Sequence, residues 1–295
     1  MRILFWISIL FIAATVGCSS GKQLTQINDD ALAAYSSGNY ADALAKWEGV
    51  IKSYEDQGKA DECPVYTDAG LAALELGNTQ KSIQYFESAI NNGMATAETY
   101  DGLARSFKKI DNLSKEIMAL ETFQKDFPTD GKILDIRKRL FNTYVESENW
   151  EKAIKLWPEI EPEVKTDNHY LEGWFAVNTA LDNKETCDEL AAKMLEQNPK
   201  NLIANEWMGK KYFWIAENKY NQEMAAYEKK KTRKQYAILL KALDEVSADF
   251  KIAMKYFEVL YKEDPKPEYA KFIGNIYVRF NDKEKADYYF EKAGE

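Results

Sequence analysis

The chain reads as an all-α solenoid, a stack of helical hairpins without a sheet. Three observations lead there. One residue pattern recurs along the sequence at a period of about 34 residues. Within each copy the apolar residues fall three and four apart, which lines them up on one helix face. Gly, Asn, Asp and Pro stand at the joints between these runs.

Each copy has a leading residue, most often small, and marked positions roughly three, seven, twelve, sixteen and nineteen further on. Ala31, Ala34, Gly38, Ala43, Trp47 and Val50 make the first copy. Gly70, Ala73, Gly77, Ser82, Phe86 and Ala89 make the second, and Ala104, Phe107, Asp111, Glu116, Leu120 and Phe123 the third. Phe141, Tyr144, Glu148, Ala153, Trp157 and Ile160 follow, then Phe175, Asn178, Asp182, Cys187, Ala191 and Met194. The last is Gly274, Tyr277, Asn281, Ala286, Phe290 and Ala293. Gly38-Asn39, Gly77-Asn78 and Asp182-Asn183 are tight turns, where Gly, Asn or Asp tolerate positive φ. Pro128, Pro199 and Pro265 stop the second helices of their hairpins. Pro158 and Pro162 predict that the second helix of the fourth copy kinks or ends early.

A sixth copy is split. Met208, Gly209 and Tyr212 suit its first helix, but its second appears only at Ala253, Phe257 and Leu260. About 31 extra residues separate them, judged against the repeat period. Helical spacing and the lack of Gly or Pro between Lys210 and Asp264 predict a helix to about Lys230 and another from Arg233 to Ser247. The expectation is an inserted, projecting hairpin over about 213–247.

These residues resemble the tetratricopeptide repeat, over nearly all of 24–295 and most closely in the second, third and last copies. The resemblance implies a right-handed superhelix with a concave groove. Residues 225–236 and the final copy are similar to envelope tetratricopeptide lipoproteins of anaerobic Gram-negative bacteria, a family that brings no function with it.

The beginning of the chain predicts targeting. Arg2 precedes an apolar run over 3–16. That is shorter than the roughly 20 residues needed to cross a bilayer and suits a secretory signal core. Gly17 before Cys18 resembles the lipobox of bacterial lipoproteins, though Thr15 stands where that family usually has Leu. The resemblance implies cleavage after residue 17 and acylation of Cys18; the alternative is an ordinary signal cut near Ala14 or Gly17. Residues 18–26 then read as a polar tether and 27–295 as the repeat array. By the same resemblance Ser19 is compatible with delivery to the outer membrane, and the lack of an acidic run after Cys18 favours its periplasmic face.

Composition narrows the function. Apolar residues are 45% and charged ones 29%, ordinary for a folded chain. A net charge of −9 argues against general nucleic-acid binding. Cys63 and Cys187 lie about three repeats apart, too far for a bridge, and Cys187 takes a small core position. The lone histidine, His169, begins a helix and suits a cap or surface role. There is no nucleophile elbow, metal-ligand cluster or phosphate loop. Acidic pairs such as Asp29/Asp30 and Glu161/Glu163 read as solvated. No enzyme, cofactor or metal is expected.

What remains is surface. Arg105, Lys108, Lys109, Lys138, Asn142, Lys210, Phe213, Trp214, Lys271 and Asn275 are the groove candidates. Lys138 with Asn142, and Lys271 with Asn275, resemble half of a carboxylate clamp, but Gly173, Ile203 and Trp207 stand where its other half would be. Phe213 and Trp214 read equally as a groove anchor or as packing under the insert. Trp47, Trp150, Trp157, Trp174 and Trp207 are expected in the core. Lys229, Lys230, Lys231, Arg233 and Lys234 put five cations in six residues at the hairpin tip. They suit either an anionic lipid or polymer, or a solvated turn. The expected function is a lipid-anchored scaffold for a protein or peptide partner in the cell envelope, with a glycan-binding lipoprotein as the alternative.

Overall fold

The computed structural model describes residues 16–295, with side chains from residue 23 onward. The expected leader over 1–17 falls almost wholly outside the described residues, as does the side chain of Cys18. Among the described residues all regular structure is helical. The described residues form two compact units, divided between Asn149 and Trp150.

The first unit contains α1 (Val16–Ser36), α2 (Tyr40–Asp56), α3 (Tyr66–Glu75), α4 (Thr79–Asn91), α5 (Ala97–Lys109), α6 (Leu113–Asp126) and α7 (Ile133–Glu146). Helices adjacent in sequence pack together throughout. The second contains α8 (Trp150–Leu156), α9 (Glu161–Val164), α10 (Asn168–Ala180), α11 (Lys184–Gln197), α12 (Leu202–Lys229), α13 (Arg233–Glu263), α14 (Pro267–Arg279) and α15 (Lys283–Ala293). The boundary falls in the turn of the fourth copy.

One backbone feature marks the repeat. Gly38, Gly77, Asp111, Glu148, Asp182 and Asn281 all have positive φ, between 55° and 80°. Each is the seventh-on residue of its copy. A left-handed residue there lets the next N–H turn back to a carbonyl five residues earlier, as Asn78 does to Ala73 at 2.9 Å and Asp282 to Tyr277 at 3.0 Å. The first helix ends, and the Asn or Asp that follows begins the second.

The prolines act as expected. α6, α11 and α13 each end two residues before Pro128, Pro199 or Pro265, because the residue preceding a proline is pushed out of the helical region. Phe127, Asn198 and Asp264 accordingly have φ near the extended range, −126°, −140° and −145°. α8 stops at Leu156, and a 3-10 turn over Trp157–Glu159 carries Pro158.

Large residues at the sixteenth-on position are buried against small ones. The Phe86 ring lies between Gly70 and Gly102; a Cβ on those glycines would stand 2.7 and 2.2 Å from it. Cys63 and Cys187 are both buried free thiols, and Cys187 fills its expected core place. Trp47 and Trp157 are buried, whereas Trp150, Trp174 and Trp207 are only partly so. Trp174 lies flat on Trp157, with ring centroids 4.6 Å apart.

Two expectations change. The segment 18–26, read as a tether, lies within α1. Leu24 and Ile27 continue the three-and-four spacing back from Ala31 and Ala34 and pack on the same cluster. The sixth copy is lengthened as expected up to its tip, α12 ending at Lys229 and the next helix beginning at Arg233, but α13 does not stop at Ser247: it runs unbroken to Glu263, so the extra residues extend the copy's own two helices. Leu239, Ala242, Val246, Phe250, Ala253, Phe257 and Leu260 form one buried stripe along it, and with no Gly or Pro in between nothing breaks the helix.

Candidate functional site

In the second unit, the first helices of three successive copies are α10, α12 and α14. Two hollows open along them. The larger, about 820 Å³, is lined by Phe175 and Thr179 of α10, Lys184 and Asp188 of α11, and a row on α12. That row is Ile203, Glu206, Trp207, Lys210, Lys211 and Trp214. The smaller, about 420 Å³, is lined by Phe213, Trp214 and Glu217 of α12 and by Glu268, Lys271, Phe272, Asn275, Val278 and Arg279 of α14. Trp214 belongs to both and is 52% exposed.

The floor of the larger hollow is apolar and its polar groups already have partners. Trp207 Nε1 donates to Asp188 at 2.8 Å, and Lys211 Nζ donates to the other oxygen of Asp188 at 2.6 Å. Lys210 sits between Glu206 at 2.6 Å and Glu268 at 3.0 Å. The Tyr269 hydroxyl donates to Glu206 at 2.8 Å. Burial works to raise the Glu206 carboxyl, but the Lys210 and Tyr269 hydrogen bonds prevail and hold it below the usual range. Burial likewise opposes the charge on Lys210, yet Glu206 and Glu268 keep it above the ordinary lysine value. Phe175 meets the Trp207 ring edge-on at 5.4 Å. A charge held by its neighbours is less open to a new ion pair, so the free recognition capacity is largely aromatic.

The wall of the smaller hollow is braced. Arg279 forms a forked pair with Glu217, its Nε donating at 3.0 Å, and its guanidinium lies 4.1 Å from the Tyr220 ring centre. The Glu217 hydrogen bond raises the Arg279 pKa further.

The sequence candidates divide. Lys210, Trp214, Lys271 and Asn275 line these hollows, and Lys271 also pairs with Glu295. Phe213 touches the smaller hollow but is buried, its ring edge-on to Phe272 at 4.8 Å and to Phe250 at 5.6 Å. It packs, while Trp214 beside it, edge-on to Phe213 at 5.3 Å, leaves half its surface open. Arg105, Lys108, Lys109, Lys138 and Asn142 belong to the other unit. There Arg105 pairs with Glu75 at 2.7 Å, Lys108 pairs with Glu146, and Lys109 donates to the Leu74 carbonyl at 3.2 Å. Lys138 and Asn142 are half-buried on α7. Trp207, expected in the core, lines the larger hollow. Ile203, Trp207, Lys210 and Trp214 recur at helical spacing on one face, and that stripe was the available signal. Phe175, Asp188 and Lys211 carried none.

No group of His, Cys, Asp and Glu among the described residues could hold a metal, and no helix among them is long and apolar enough to cross a membrane.

Solved structures with this arrangement of helices exist. One is the C-terminal part of a TPR repeat-containing protein from Cytophaga hutchinsonii, 18% identical over 90% of this chain and 93% of that one, with a TM-score of 0.51. The fold is that of a tetratricopeptide repeat protein. A protein from Bacteroides ovatus, described as a protein-binding protein, is 17% identical, covers 74% of this chain and 98% of its own, and gives a TM-score of 0.52. YrrB, a TPR protein with an unusual peptide-binding site, is 14% identical over 65% of this tetratricopeptide chain and 97% of its own, with a TM-score of 0.50. No family model matches the chain, and no curated protein matches it.

Proposed function

We propose that this tetratricopeptide array is a lipid-anchored scaffold of the cell envelope that holds an apolar peptide segment of another protein against α10, α12 and α14. The observation that carries the reading is Trp214, half exposed between hollows of about 820 and 420 Å³. Exposed tryptophan is costly to leave in water and is the side chain most often central to a binding interface. The helices bearing it are braced by packed aromatics and ion pairs, so a ligand orders little of the scaffold on binding. The peptide-binding description of YrrB and the protein-binding description of the Bacteroides ovatus structure support the same class of ligand. The envelope location rests on the sequence alone: the apolar run over 3–16 and Cys18 after Gly17. Ser19 and the lack of an acidic run after Cys18 favour the periplasmic face of the outer membrane within this reading.

A peptide library displayed against the full chain tests the reading. Selected peptides should be rich in large apolar residues and should change the tryptophan emission. Trp214→Ala should weaken their binding by roughly tenfold or more, whereas Met118→Ala, on an exposed site of the other unit, should not. Binding that is indifferent to Trp214 sinks the proposal. Retention of oligosaccharides but no peptide would hand the same tryptophan to the glycan alternative.

A further inference from the structure

The lengthened α12 and α13 pack against each other and end in a tip far from the α14 end of the pair. There Lys229, Lys230, Lys231, Arg233 and Lys234 are all exposed. Lys231 pairs with Glu228 at 2.7 Å; no ion pair engages the other four among the described residues. From Lys229 to Leu243 there are six cations and no acid, in a chain whose net charge is −9.

Two features make this more than a solvated turn. Arg233 and Lys234 occupy the first turn of α13, which has no acidic residue. A helix start carries partial positive charge and favours acids, so cations there work against the fold. Residues that break a local rule without a structural return point to function. The second feature is apolar. Tyr236 and Leu240, one turn apart on the same face of α13, are 49% and 48% exposed, and the Tyr236 ring lies 5.7 Å from that of Tyr227 on α12. They lie within about 10 Å of the helix start, at 1.5 Å per residue. Cations beside exposed aromatic and aliphatic side chains form the amphipathic combination that lies in a membrane interface.

We propose that the α12–α13 tip docks on an anionic phospholipid surface, the cations meeting lipid phosphates and Tyr236 and Leu240 entering the headgroup region. An acidic polymer would use the charges but leave these two apolar side chains in water. The inference stands independently of the groove and of the Cys18 anchor.

The test reads the tip itself. An environment-sensitive fluorophore is placed on Thr232→Cys in the full chain with Cys18→Ala; Cys63 and Cys187 are buried and stay unlabelled. Vesicles of phosphatidylcholine with phosphatidylglycerol should shift the dye to the blue, vesicles of phosphatidylcholine alone should not, and high salt should reverse the shift. Replacing the five cations by Gln should raise the half-saturating lipid concentration at least tenfold, since each charge near an anionic surface adds to the attraction, with the circular dichroism unchanged. Tyr236→Ser with Leu240→Ser should weaken the shift while keeping the preference for anionic vesicles. An equal response to both vesicle types, or no loss on replacing the cations, overturns the proposal. So does a tip that binds polyglutamate but leaves anionic vesicles alone.

Discussion

Arg139 Nε donates to Glu116 Oε1 at 2.8 Å, across from α7 to α6. Glu116 takes the twelfth-on place of its copy, where Ala43, Ser82, Ala153, Cys187 and Ala286 stand in others. Its side chain is 1% exposed, and Arg139 is also held by Asp101 at 3.6 Å. Two adjacent repeats are thus joined by a buried carboxylate where the others use small residues.

Glu116→Ala should therefore destabilise the first unit although alanine suits that place elsewhere. The lost partner leaves a largely buried guanidinium with Asp101 alone, at a cost of about 2 kcal/mol, below the range for a fully buried pair because Arg139 is partly solvated. Adding Arg139→Leu should recover part of it. Urea denaturation of the wild type, both single variants and the double variant gives the coupling; strictly additive changes would show that the pair contributes nothing.

Gly274 and Gly49 should respond to alanine in opposite directions. A Cβ on Gly274 would stand 2.8 Å from the Phe290 ring, whereas one on Gly49, inside α2, meets nothing within 4 Å. Gly49→Ala removes a poor helix former and should stabilise by about 0.5–1 kcal/mol. Gly274→Ala must move an aromatic ring out of its packed place and should cost about 1–3 kcal/mol. Thermal melts of the two variants decide it; equal shifts would mean that the last copy is too loosely packed to feel the clash.

Gly274 and Phe290 belong to a spacing repeated along the chain, so their pairing was visible as a pattern. The positive-φ turns were foreseen at Gly38, Gly77 and Asp182, whose residue types tolerate that backbone; at Glu148 only the position in the copy gave it away. The apolar spacing of Tyr236, Leu239, Leu243 and Val246 predicts a helix only to about Ser247. The structure keeps the helix, since the Ser247 hydroxyl donates to the Leu243 carbonyl at 2.7 Å and leaves the backbone intact. The groove was legible only on α12, where Lys210 and Trp214 share a stripe. Which charges were free was not, because pairs such as Lys211–Asp188 and Arg279–Glu217 link residues 23 and 62 positions apart.

Cys18→Ala tests the anchor. Acylation contributes about 0.8 kcal/mol per buried CH₂, and stable attachment takes more than one chain or signal. The variant should appear as unprocessed or released protein, while the wild type stays with the membrane after carbonate and salt washing. A variant that cofractionates with membrane as wild type does, and with the same processed mass, removes the lipoprotein proposal and leaves the groove untouched.

Asp68 should make the first unit sensitive to pH. It lies on α3, and burial, with the Glu98 charge adding to it, pushes its carboxyl up to about 6. An unfolded aspartate titrates near 3.9. The folded chain therefore binds this proton more tightly than the unfolded one. The stabilisation is complete below about pH 4 and is lost as pH rises through about 6. At neutral pH the ionised group costs on the order of 3 kcal/mol. Asp68→Asn mimics the protonated form, so it should stabilise the protein at pH 7.5 and change little at pH 4. Carboxylates held below their usual range, such as Glu206, titrate alike in both proteins and cancel in the difference. Urea midpoints at the two pH values measure it. A gain for Asp68→Asn that is the same at both, or larger at pH 4, would mean that Asp68 is charged and well solvated in the folded chain.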